Sequence, residues 1–266
     1  MLKPADVVKS AGFCFSERCL IMICNSVDCA VIMAAGLGTR MRPVTDSMPK
    51  PLVEVAGTPL IETSIRGLLS AGVGNLIVVT GYMADMFEYL PSKYPGVSLV
   101  RNPHYMTMNN ASSIHAAAGL VRGNCYVCEA DLYVADPSVF SPVVDRSAYF
   151  GRPVGGDFDD WGFVTDVSGR VTGIKPGGVR SWCDFAMTGV SVWLWSDFSV
   201  VLDRIAAMMN EESGRTRFWD EAVDDVISSI DVGIRPVESG SIVEIDTVEE
   251  LESIRRRFAG PKGFDL

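Results

Sequence analysis

The chain predicts an α/β fold: a doubly wound, mixed and mainly parallel sheet that carries a small antiparallel extension. Between residues 30 and 131, apolar runs of strand length alternate with helical stripes, the βαβ order that builds parallel sheets. A glycine-rich loop follows the first of these runs. From about residue 148 the pattern changes to short strand-like segments separated by tight turns, which antiparallel strands require.

The first strand covers residues 30–33 and leads into the small residues Ala34, Ala35 and Gly36. Gly36 and Gly38 let the backbone approach a ligand that a Cβ would hold off. Main-chain N–H groups in such a turn can cradle phosphate oxygens, and Arg40, Arg42 and Lys50 add positive charge around it. Residues 59–71 read as a helix, because Leu60, Ile61, Ile65, Leu68 and Leu69 recur at helical spacing; Gly72 stops it. Residues 75–80 form a buried strand ending at Gly81 and Tyr82, where ligands of open parallel sheets gather. A short helix over 83–90, a strand over 97–101, a helix over 112–121 and a strand over 126–130 complete this half, the last ending on Asp131.

Strands are expected over 148–154, 162–165, 171–175 and 187–195, with a hairpin turn at Ser168 and Gly169. Helices follow over 198–209 and 218–229. A last strand covers 242–245, and Thr247 with Glu250 forms a capping box that opens the final helix. The organisation is thus an N-terminal extension (1–29), one domain (30–258) and a tail (259–266). The extension has three open readings: a disordered segment, an extra helix, or a consequence of start-site choice with Met22 as the alternative start.

The 266 residues suffice for a sizeable core. A net charge of −10 argues against nucleic acid as a bulk partner, since no basic excess is present to neutralise phosphates. Seven cysteines, an odd number with no secretion signal, indicate reduced thiols and a cytoplasmic setting. Cys14, Cys19, Cys24 and Cys29 recur every five residues, a spacing that invites a metal-cluster reading; Cys29 leading into the first core strand argues against it. Cys125 and Cys128 read as core thiols. The apolar run 19–24 is too short to span a membrane. His104 and His115 have no evident nucleophile or metal partner, so Ser/His/Asp and Cys/His machinery is not supported.

Residues 30–62, with G-L-G-T-R and then P-K-P, resemble the signature of nucleotidyltransferases that join an NTP to a sugar 1-phosphate or a phospho-alcohol. The spacing is not that of a P-loop, and Met41 stands where a dinucleotide-binding G-x-G-x-x-G would place its third glycine. Further along, NPHYMTMNNASSI (102–114), YVCEADLY (126–133), DDWGFV (159–164), TGVSVW (188–193), FWDEAV (218–223) and IVEIDT (242–247) resemble landmarks of the bacterial CTP:phosphocholine cytidylyltransferases. The resemblance runs from about residue 30 to residue 257.

It implies a Rossmann-like nucleotidyltransferase fold with an acceptor-binding extension, transferring CMP from CTP to phosphocholine with release of pyrophosphate. By the same resemblance Mg²⁺ falls to Asp131 and Asp246. Glu244 joins them, being on the same side of its strand as Asp246 by period-two alternation. The loop residues Ala35, Gly36, Gly38 and Thr39 would hold the triphosphate, with Arg40 and Lys50 as the catalytic cations. Gly81, Tyr82, Asn109, Asn110 and Ser112 would flank the cytosine and ribose. A choline head needs aromatic faces and carboxylates; the candidates are Trp161, Trp219, Asp220 and Tyr133, with Trp182 as an additional wall. Ile174-Lys175-Pro176 resembles the Glu-Lys-Pro of sugar-phosphate enzymes with its glutamate missing. Lys175 is therefore the candidate contact for the acceptor phosphate or phosphonate. The acceptor stays open between phosphocholine, 2-aminoethylphosphonate and a sugar 1-phosphate. A non-catalytic, nucleotide-sensing relative is the reading from another class, and the intact set Gly36, Arg40, Lys50, Asp131 and Asp246 argues against it. Small molecules are the expected partners, with no nucleic acid and no membrane insertion; the oligomeric state is open.

Overall fold

The computed structural model describes residues 25–178, 183 and 185–258. Cys14, Cys19, Cys24 and Trp182 lie outside the described residues, as do most of the N-terminal extension and the tail. The first half comprises β1 (Cys29–Ala34), α1 (Leu60–Ser70), β2 (Leu76–Thr80), β3 (Val97–Arg101), α2 (Ala111–Ala117) and β4 (Cys125–Glu129). These strands run parallel in the order β3-β2-β1-β4. A short strand β5 (Leu132–Val134) follows. The second half contains β6 (Ser147–Pro153), β7 (Phe158–Thr165), β8 (Val171–Gly178), β9 (Phe185–Trp193), α3 (Trp195–Met208), α4 (Trp219–Val226), β10 (Val232–Pro236), β11 (Ile242–Glu244) and α5 (Val248–Phe258).

Strand β4 is the seam. It pairs parallel with β1 on one side and antiparallel with β9 on the other. Beyond β9 the sheet continues antiparallel through β7 and β8, and β6 pairs with both β9 and β10. Strands β11 and β5 form a separate antiparallel ribbon. The mixed sheet with its antiparallel extension is therefore the architecture that the sequence predicts.

Period-two alternation sorts the core. Ala30, Ile32 and Ala34 of β1 face a cluster that includes Ile61, Ile65 and Leu68 of α1. Cys29 and Val31 face the opposite cluster, with Ile114 of α2, Phe198 and Ile205 of α3 and Val223 of α4. A fully buried aliphatic or aromatic side chain contributes about 1.5–3 kcal/mol, so β1, covered on both faces, is a rigid mount for the loop that leaves it. Cys29, Cys125, Cys128 and Cys183 are buried and unbridged, and Cys29 lies opposite Cys125 in the sheet register. A third cluster packs Met41, Val53 and Leu60 beneath Leu251 and Ile254 of α5.

Three segments differ from expectation. The helix expected over 83–90 is a 3₁₀ turn (Ala84–Phe87) and then a single helical turn (Leu90–Lys93). Met83 precedes the first in the left-handed region and Pro91 opens the second, so one continuous hydrogen-bond ladder cannot form. Strand β10 was not expected, because Gly233 and Pro236 weaken its strand character; its parallel pairing with β6 supplies the order. Strand β5 was hidden directly behind Asp131. The hairpin turn holds, with Gly169 at φ 76°, as does the capping box, in which Glu250 N–H donates to Thr247 Oγ1 at 3.2 Å and Thr247 N–H to Glu250 Oε2 at 2.9 Å. Among the described residues no helix is long and apolar enough to cross a membrane.

Gly81 shows how tightly the loop is seated. A Cβ there would lie 2.7 Å from the Tyr105 ring and 2.8 Å from the Ala35 carbonyl oxygen. Gly81→Ala is expected to destabilise the fold by about 1–3 kcal/mol, the usual cost of overpacking. Urea unfolding checks this, and an unchanged midpoint would show that the loop can move aside.

Candidate active site

The C-terminal ends of β1 and β4 open onto a cleft of about 650 Å³. A smaller recess of about 230 Å³ adjoins it between the glycine loop, Lys50, Asp131 and Asp246. The floor on the β1 side is the loop itself. Ala35, Gly36, Gly38, Thr39 and Arg40 all line the cleft. Apart from its chain neighbours, no atom of the described residues comes within 4 Å of the Cβ position of Gly36, so its backbone faces open space that a phosphate can enter. Gly38 sits at φ 62°, where a Cβ would press on Lys50 and Thr45 at 3.0 Å.

Lys50 joins the parts. It is 7% exposed, and its Nζ donates to Asp131 Oδ2 at 2.7 Å and to Asp246 Oδ1 at 2.6 Å. Arg40, largely exposed, reaches the same Asp246 oxygen at 2.8 Å. Burial disfavours the Lys50 charge, but the two carboxylates outweigh burial and hold its pKa above the ordinary value. Burial would likewise raise Asp246; its bond to Lys50 overrides that and holds it below the ordinary carboxylate value.

Asp131 stands just beyond β4, and Glu244 and Asp246 at the end of β11. Glu129, at the end of β4, was missed in the sequence. Glu129, Asp131 and Glu244 present carboxylate oxygens within 4.8 Å of one another. Burial, and then the neighbouring Asp131, push Glu244 up to about 9. The same causes push Glu129 well above its ordinary value. Among the described residues, Asp131 Oδ1 is buried without a hydrogen-bond partner. Crowded hard-oxygen donors, two of them resisting ionisation, plus an orphaned oxygen are what a divalent cation such as Mg²⁺ relieves, so these residues fit such an ion. Asp246, also expected in the metal set, lines the same recess as Asp131 and carries ion pairs from Lys50 and Arg40 on its Oδ1, and Glu129 is a further carboxylate of the cluster that was not expected.

Asn109 and Asn110 line the cleft before α2. Asn110 Oδ1 accepts from Trp219 N–H at 2.9 Å, tying this segment to the start of α4. Ser112, in contrast, is buried, accepting from Asn102 and donating to the Asn109 carbonyl. Gly81 and Tyr82 lie behind the loop: Tyr82 N–H donates to the Ala35 carbonyl and its hydroxyl to the Thr45 carbonyl. These three support the lining and are not part of it.

The far end of the cleft contains Asp160, Trp161, Met187, Phe218 and Asp220. Trp161 and Phe218 meet edge to face, with centroids 5.5 Å apart. Asp220 is 4% exposed and accepts from the Tyr149 hydroxyl at 3.0 Å. Burial raises its pKa to about 7, and the Tyr149 bond opposes the rise. Asp160 is also raised by burial.

Three expected acceptor contacts are elsewhere. Trp219 is in the core against Tyr149 and Trp193, because residues 219, 222 and 223 form the buried face of α4. Phe218, one residue earlier, reaches the cleft instead. Tyr133 packs on Phe258 at 4.8 Å, away from the cleft, since alternation along β5 turns it beneath α5. Lys175 is exposed on β8, while Ile174 beside it faces the core; Lys175 does not line the cleft. The signal for Glu129 was present: it stands two residues before Asp131, as Glu244 stands two before Asp246.

Residues 30–154 match the family described as the MobA-like NTP transferase domain. The chain is 44% identical to the 2-aminoethylphosphonate cytidylyltransferase of Lancefieldella rimae, over 84% of this chain and 89% of that one. It is 34% identical to the choline-phosphate cytidylyltransferase of Streptococcus pneumoniae, over 85% and 96% of the two chains. The solved structure of the CTP:phosphocholine cytidylyltransferase from Streptococcus pneumoniae superposes with a TM-score of 0.80 at 32% identity, covering 87% of this chain and 99% of that one.

The carboxylate cluster makes stability depend on pH. A carboxyl whose folded pKa lies above its unfolded value keeps a proton that the unfolded chain has lost, so stability falls as pH rises between the two values. For Glu244 that window runs from 4.5 to about 9. In chelator-treated protein, urea unfolding should show stability declining from pH 5 to pH 8. Glu244→Gln should flatten the decline by a fraction of the limiting ~1.4 kcal/mol per pH unit for one proton, and should be the more stable protein at pH 8. Parallel slopes for the two proteins would contradict this.

Proposed function

The chain belongs to the family of the 2-aminoethylphosphonate and choline-phosphate cytidylyltransferases, and from that premise we propose that its own acceptor is 2-aminoethylphosphonate. The chemistry is cytidylyl transfer from CTP. A phosphonate oxygen attacks the α-phosphorus in line; the new P–O bond forms as the bond to the β-phosphate oxygen breaks, and pyrophosphate leaves. The acceptor oxygen is already anionic, so no general base is required, and catalysis is positioning plus charge stabilisation.

Each part of the cleft has a task in this scheme. The Gly36–Gly38 backbone lies against the triphosphate, and Arg40 and Lys50 supply positive charge beside it. Asn109 and Asn110 border the nucleoside. Mg²⁺, held by Glu129, Asp131 and Glu244, would offset the repulsion between two anionic reactants and steady the departing pyrophosphate. Four buried free thiols among the described residues agree with a cytoplasmic setting.

The observation that supports this acceptor is the composition of the far end. Two aromatic faces, Trp161 and Phe218, accompany the carboxylates of Asp160 and Asp220. A primary ammonium donates hydrogen bonds to such oxygens. A quaternary ammonium donates none and depends on aromatic enclosure, which the burial of Trp219 and Tyr133 diminishes. Phosphocholine is the second reading, favoured by the edge-to-face Trp161–Phe218 pair. The same carboxylates weigh against a sugar 1-phosphate, whose hydroxyls bring no positive charge.

Pyrophosphate release from CTP in Mg²⁺ is the test. We expect kcat/KM for 2-aminoethylphosphonate to exceed that for phosphocholine by tenfold or more. The reverse ranking would select the second reading, and turnover of sugar phosphates alone would reject both. Asp131→Ala should lower kcat by about 100-fold or more, the scale of losing a principal charge-stabilising group, with an unchanged circular dichroism spectrum. Near-normal turnover in that folded variant would remove Asp131 from the metal site.

A further inference from the structure

Tyr149 has no task in the scheme above, yet its hydroxyl is not explained by packing. It lies on β6, 1% exposed. Its ring is enclosed by Phe163, Trp193 and Trp219, with centroids 5.0, 5.6 and 5.8 Å away. A phenylalanine would fill that space equally well. The phenolic oxygen is the polar atom that this aromatic surrounding does not call for, and its hydrogen goes to Asp220 Oδ1 at 3.0 Å.

Asp220 occupies the first turn of α4 and is 4% exposed, yet it forms part of the cleft lining. A buried carboxylate in that position needs two things to hold a cation: a fixed rotamer and help in carrying its charge. The Tyr149 bond provides both, because a donated hydrogen bond favours the ionised form. The remaining charged neighbours do not help. Glu129 on β4 and Glu221 and Asp224 on α4 are acids whose charges oppose those of Asp220 and Tyr149. The start of α4 is held independently by Asn110 through the Trp219 N–H, so the backbone position of Asp220 does not depend on Tyr149. What depends on Tyr149 is the aim of the carboxylate.

We propose that Tyr149 is a positioning residue for acceptor recognition: it takes Asp220 Oδ1 from below and thereby presents Oδ2 to the ammonium group of the acceptor. The inference rests on the assignment of this end of the cleft to an acceptor ammonium, and it holds for a primary or a quaternary one.

The test is Tyr149→Phe in the full chain, assayed by pyrophosphate release with CTP and, separately, 2-aminoethylphosphonate and phosphocholine. The KM for the acceptor that is turned over should rise about tenfold, while kcat and the KM for CTP stay within about twofold. Asp220→Asn should raise the same KM by at least as much. Tyr149→Phe added to Asp220→Asn should change it by less than about twofold, because the hydroxyl acts through the carboxylate. A hydroxyl with only a structural role would instead move kcat and the KM for CTP together with the acceptor KM, and that result overturns the proposal. An unchanged acceptor KM, or losses from the two substitutions that multiply, overturns it as well. Preference for phosphocholine would overturn the acceptor assignment alone, since the Tyr149 effect is then read with phosphocholine.

Discussion

The site depends on one ammonium group. Lys50 comes from the Pro-Lys-Pro turn after the glycine loop, Asp131 from the end of β4 and Asp246 from the end of β11. These points are 81 and 196 residues apart along the chain, yet they meet at a single nitrogen with bonds of 2.7 and 2.6 Å. A lysine this deeply buried must be compensated, and two aspartates provide the compensation. The requirement works in both directions, since either aspartate without Lys50 would face other acids. The loop, the parallel sheet and the C-terminal ribbon are thereby held in one arrangement by mutual electrostatic need as well as by apolar packing.

Around that bridge the cleft is an acidic enclosure with a graded character. At one end Asp246 stays ionised under two cations. In the middle Glu129 and Glu244 resist ionisation because burial and Asp131 both oppose it. At the far end Asp220 is raised chiefly by burial, with Glu221 adding to it, and restrained by a phenol. Carboxylates within one cleft thus acquire different dispositions from their surroundings. The first set suits charged phosphates that arrive with compensating cations, and the last suits a ligand that brings its own positive charge.

Much of this was legible in the sequence. The apolar run 30–33 followed by glycines, the helix stripe ending at Gly72 and the box at Thr247 and Glu250 are local patterns, and they produced the elements expected of them. The strand-end aspartates were legible because a position after an apolar run has a defined place in an open sheet. What escaped was set by direction. Trp219 and Phe218 are adjacent, and only the helix phase decides which one faces the cleft. Tyr133 sits among active-site landmarks but on the wrong side of a three-residue strand. Strand β10 exists through its pairing with β6, and its glycine and proline conceal it. Asp246 was correctly placed, but its engagement with Lys50 is a tertiary fact that spacing does not carry.

The seam at β4 has an evolutionary consequence. The glycine loop and Asp131 hang on the parallel side, whose register is locked across β1, β2 and β3, and the β11 ribbon adds Glu244 and Asp246. The far end of the cleft, with Trp161, Met187, Phe218 and Asp220, hangs on the antiparallel side and on α4. Trp161, Met187 and Phe218 can change without disturbing a single backbone pairing of the parallel half, because ladders are made by the main chain. The two halves of the cleft are therefore separable traits. Selection can retune what the protein accepts one side chain at a time while the machinery that cleaves the nucleotide is inherited intact.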